Sequence, residues 1–107
     1  MTNIHHVDAL IVLTTPPDLE EPVVDWLLAR GTGTGFTSFP VFGHSTSHAG
    51  LSAAEQVRGR QRRQQFQVQI PGEAVDEFIE DARRTFGAAG MHYWVLPLGA
   101  HGKLQPR

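Results

Sequence analysis

The chain has 107 residues, a net charge of −2 and no cysteine. That length makes one domain, 1–107, with one modest core, and the missing thiols exclude disulfides, thiol catalysis and cysteine-based zinc sites. No stretch nears the roughly 20 apolar residues that span a bilayer, and the first six residues lack the order of a secretory signal, so the expected compartment is the cytoplasm.

Residues 8–13 hold a continuous apolar run, ALIVL, which predicts a central strand paired on both edges. Residues 14–21 read as a turn and helix entry. Thr15 with Asp18, or Asp18 with Glu21, has capping-box spacing, and Pro22 favours the second because a proline deep in a helix would clash. A helix follows over about 19–29, with Leu19, Val23, Trp26 and Leu27 as its buried stripe. Gly31, Gly33 and Gly35 close it. Residues 36–43 form a second strand, Phe36 and Phe42 on one face, Phe39 and Val41 on the other. Pro40 has no N–H to donate, which places this strand at a sheet edge.

Residues 44–63 read as a long connection, within which Ser52 and Glu55 have the spacing to start a short helix over 53–58. In 64–70, Phe66, Val68 and Ile70 alternate with Gln65, Gln67 and Gln69, the period of a strand with one apolar and one polar face. A helix over 73–86 buries Val75, Phe78, Ile79, Ala82 and Phe86, with acids in its first turns and Arg83 and Arg84 in its last. Residues 91–98, MHYWVLPL, form the fourth strand; 1–7 and 100–107 are tails, the second expected to be loosely held. The order βαββαβ predicts an α+β, ferredoxin-like fold: a four-stranded antiparallel sheet with two helices on one face.

The other sheet face carries the glutamine row. Alternation on the fourth strand sends either His92, Trp94 and Leu96 or Tyr93 and Val95 to the same side. Such a face is too apolar for water alone and too polar for a dry second layer, so self-association is the expected use. A solvated glutamine row is the alternative.

Four arginines fall within six positions, Arg58, Arg60, Arg62 and Arg63, opposed locally by Glu55 alone. In an extended backbone Arg58, Arg60 and Arg62 share a side. Guanidinium groups grip carboxylates and phosphates two-handed, so the block is a candidate anion or acidic-partner site; plain solubility is the competing explanation. The remainder of the chain is acidic, which argues against nucleic acid. His44 and His48 flank Ser-Thr-Ser and are the candidate ligands for a metal such as zinc or copper, helped by Glu55 (itself also a candidate ligand or partner contact) or by a neighbouring subunit, although such sites take three or four ligands. His92, in the last strand, reads as structural. Ser45 and Ser47 near His48 lack an orienting acid, and the glycines follow a helix where a dinucleotide loop would precede one, so no enzyme is expected.

The strand order, the long loop between the second and third strands and the bare sheet face resemble the PII-like superfamily of nitrogen-regulatory PII and CutA proteins. More closely, the segments VDWLL, GFTSF, GHSTSHAGLS, AEQVRGRQRRQQFQV and GMHYWVLP are similar to a small bacterial PII-like family. The resemblance implies a homotrimer that binds a small effector between subunits and contacts a partner protein, a membrane transporter among the candidates, through the 44–63 loop. It also implies a heavy-metal efflux context for some members. The chain departs from PII at Gly87-Ala88-Ala89-Gly90, where a lysine- and glycine-rich phosphate loop would stand, and it has no tyrosine in 44–63. The effector is therefore left open between an anion and a divalent metal.

Overall fold

The computed structural model describes residues 7–31, 35–44 and 60–106. Four strands, β1 (Ala9–Thr15), β2 (Phe36–His44), β3 (Arg60–Ile70) and β4 (His92–Pro97), form one antiparallel sheet in the order β2-β3-β1-β4. Two helices, α1 (Glu20–Arg30) and α2 (Val75–Phe86), complete the βαββαβ order. The fold is the ferredoxin-like α+β arrangement that the hydrophobic periods predict. β1 is central and β2 lies at an edge, where Pro40 costs no ladder bond on its open side.

Register fixes which side chains meet. Ile11 pairs with Val68 and Val95, and Leu13 with Phe66 and Tyr93. These residues point to the helix layer, where Val23, Leu27, Val75 and Phe78 close a core with Ala9, Ile11, Leu13, Phe66, Val68 and Ile70. Trp26 meets Phe78 and Phe86 edge-on, at 5.1 and 5.5 Å between ring centres, and so joins the two helices.

Arg30 strengthens the same seam. Its guanidinium lies 5.1 Å from the Trp26 ring and 4.9 Å from the Phe78 ring, and it forms an ion pair with Asp81 of α2. A half-buried pair flanked by rings exchanges less with water than a surface one. Arg30→Ala is expected to lower stability by about 1–2 kcal/mol, read as the midpoint of urea unfolding.

Several boundaries differ from those the sequence predicts. The entry to α1 uses neither capping box. A 3-10 turn, Pro17–Leu19, leads into the helix, Leu19 stands at the N-cap with no side-chain bond, and Thr15 turns its hydroxyl to the Pro16 carbonyl at 3.2 Å. The consecutive prolines favour the tight turn, which satisfies the Leu19 N–H through Pro16 O at 3.1 Å. The helix then ends at Gly31, whose φ of 61° suits a residue without a side chain. The C-terminal segment is tethered where a loose tail is expected. Leu98 N–H donates to Asp8 O at 2.9 Å, and His101 contacts Asp8 at 2.8 Å and the Gln69 amide at 2.8 Å. His101→Ala is expected to release this segment, seen as faster cleavage after Lys103 in limited trypsin digestion.

Candidate functional site

The largest correction concerns the long connection. β2 runs on through His44 and β3 begins at Arg60, so His44 and Arg60–Arg63 are strand residues and only 45–59 separates the strands. Arginine and glutamine give no apolar alternation at 60–63; the ladder to Val41–His44 makes them a strand. β1 pairs with β3 no farther than Thr15 with Gln64, whereas β2 and β3 stay paired out to His44 with Arg60. Residues 41–44 and 60–63 thus form a two-stranded arm beyond the part of the sheet that β1 and β4 complete.

The arm divides the arginines. Arg60 and Arg62 share the side of Phe42 and His44, and Arg63 lies on the opposite side with Gln61 and Val41. The Arg60 guanidinium stacks 4.1 Å from the centre of the Phe42 ring, which is itself 52% exposed. Arg63 donates to its neighbour's carbonyl, Arg62 O, at 3.0 Å and to the Gln61 side-chain oxygen. Phe42 was legible as an apolar strand residue; its role under Arg60 follows from a register that periodicity does not supply. Arg58, Glu55, His48 and the 53–58 helix lie outside the described residues. His44 is exposed at the arm's end, opposite Arg60, whose positive charge disfavours a cation there.

The open sheet face is the second feature. Its rows run Leu96–Leu10–Gln69, then Trp94–Val12–Gln67–Thr37, then His92–Thr14–Gln65–Phe39. Of the two settings open to the last strand, His92, Trp94 and Leu96 take this side, and Tyr93 and Val95 turn to the helices. Gln65 donates its amide to the Thr14 hydroxyl at 3.2 Å, so the glutamine row is partly held within the sheet. Trp94 is 53% exposed and Leu96 46%.

Behind the sheet a cleft of about 160 Å³ opens between α2 and β4, lined mainly by Leu13, Ile79, Phe86, Met91 and Tyr93, with Arg83 at its rim. Arg83 is engaged by Glu80 at 2.7 Å. The four-residue connection after α2 forms a 3-10 turn, Gly87–Ala89, and Gly90 takes a left-handed φ of 69° to enter β4. No basic side chain lies on it.

With this geometry in hand, comparison with known proteins places the chain. Residues 6–105 match the family model described as a protein of unknown function, DUF3240. The chain belongs to the DUF3240 family. A crystal structure of a DUF3240 family protein from Shewanella baltica OS155 is similar over 98% of this chain and 100% of that one, with a TM-score of 0.75 at 19% identity. At that identity the likeness supports the fold alone. No curated protein matches the chain. Among the described residues no helix is long and apolar enough to cross a membrane.

Proposed function

We propose that this DUF3240 chain is a non-enzymatic, PII-like trimer that binds a small effector between its subunits and reports through segment 44–63. The observation that supports the reading is the open sheet face, where Trp94, Leu96 and Phe39 stand among glutamines on a surface of one side only. Copies around a symmetry axis bury such a mixed patch while leaving its amides partners across the contact. The arm continues past the part of the sheet that β1 and β4 complete, and Phe42 on it is half exposed. The effector acts by favouring one arrangement of the segment over another, which requires it to bind that arrangement more tightly.

Isothermal calorimetry of the assembled protein against nucleotides, bicarbonate, zinc and copper tests this reading. An anion that binds, and loses about tenfold in affinity when Arg58 and Arg60 become glutamine, supports it; heat from none of them removes the effector. The alternative is a metal-binding accessory protein of heavy-metal efflux built on His44 and His48; the Arg60 charge opposite His44 counts against it. Of that pair only His44 lies among the described residues. Zinc or copper binding abolished by His44→Ala and His48→Ala would restore that alternative.

A further inference from the structure

We propose that the arm docks an extended acidic segment of a partner protein, with carboxylates at alternate positions, on the side that carries Phe42, Arg60 and Arg62. The proposal rests on the reading of segment 44–63 as the partner-contacting element and names the chemistry of that partner.

Charge is the first observation. The described arm residues, 41–44 and 60–63, include three arginines and no acid, which gives +3. The chain has nine basic and eleven acidic residues, so without those three arginines the rest carries 6 − 11 = −5. The described arm is therefore net positive on a chain that is otherwise net negative. Attraction of this kind steers an oppositely charged segment to the arm and orients it there.

Geometry is the second. Arg60 and Arg62 are two residues apart on one strand, so their side chains leave the same side roughly 7 Å apart. An extended peptide has the same repeat, so carboxylates at alternate positions meet both guanidinium groups in register. Arg60 is held over the Phe42 ring, which fixes its plane and limits the rotamer freedom lost on binding. The exposed part of that ring offers apolar contact to the intervening peptide.

The same numbers favour a peptide over a nucleic acid. A polyanion long enough to gain from counterion release reaches past the arm to a body of charge −5, which repels it. A short acidic segment touches the arm alone.

Fluorescence anisotropy with a labelled synthetic peptide of alternating glutamate and serine, titrated with the full-length protein, tests this. The expected result is binding that weakens as salt is raised, with none for the matching lysine–serine peptide. Affinity should fall about threefold for Arg60→Gln or Arg62→Gln and about tenfold for both, while Arg62→Lys keeps most of it. Arg83→Gln with Arg84→Gln, on α2, should change nothing. Circular dichroism of each variant secures the comparison. Equal binding by the double variant, no binding at low salt, or tighter binding of single-stranded oligothymidylate through the same arginines would each overturn the proposal. Assembly mass is read separately. A trimer that ignores the peptide sinks this inference alone, and a monomer that binds it sinks the trimeric reading alone.

Discussion

Phe66→Ala is expected to cost about 3–5 kcal/mol, enough to leave much of the chain unfolded at room temperature. Phe66 is wholly buried in the middle of β3, between Leu13 of β1 and Ser38 of β2, with the Phe36 ring centre 6.2 Å away. Truncation removes the ring's transfer free energy and leaves a void that three strands cannot collapse, because their ladders fix the backbone on both sides. The check is a urea unfolding curve followed by tryptophan fluorescence. Phe42→Ala, on the arm, is the comparison: its ring is half exposed, so the loss should stay below about 1 kcal/mol. Equal losses at the two sites would mean that the core does not lie where the register places it.

The second large effect belongs to the open face. Trp94→Glu is expected to convert the proposed trimer to single chains that remain folded. In one chain the Trp94 side chain is half in water, so glutamate there costs the fold little. In an assembly that closes this face, each copy instead buries an unpaired carboxylate, at several kcal/mol per ion. Size-exclusion chromatography with circular dichroism reads both halves of the prediction. Leu28→Glu, at a site 64% exposed on the helix layer, should leave the elution position unchanged.

The contrast between these two sites shows what the sequence makes legible. The strict alternation of Phe66, Val68 and Ile70 with glutamines reveals β3, its buried face and its polar face, because period two has one structural reading when half of it is apolar. The segment MHYWVLPL lacks that contrast. Nearly every position is apolar, so only pairing with β1, which sets Trp94 beside Val12, decides that Trp94 faces outward. The arm fails in the opposite way. Residues 60–63 are all polar, and without an apolar signal a strand held by its partner reads as loop. The entry to α1 is illegible for a local reason: Thr15 and Asp18 have the spacing of a cap, but Pro16 and Pro17 impose a turn in which that spacing is not used. His101 sits in a polar segment with no periodicity, and its tether depends on Asp8 and Gln69, both far away in sequence.

Of the candidate site, the arginine block was visible as charge density alone. Its division into Arg60 and Arg62 on one side and Arg63 on the other, and the stacking of Arg60 on Phe42, depend on the β2–β3 register. His44 was visible as a residue type that binds metals, whereas the positive charge opposite it was not.

The measurement that bears most directly on the account is the mass of the assembly in solution by multi-angle light scattering. Three copies of the 11.8 kDa chain, about 35 kDa, are expected, with a fall toward one copy in Trp94→Glu. A wild-type mass of a single chain, with the open face left to water, would contradict it.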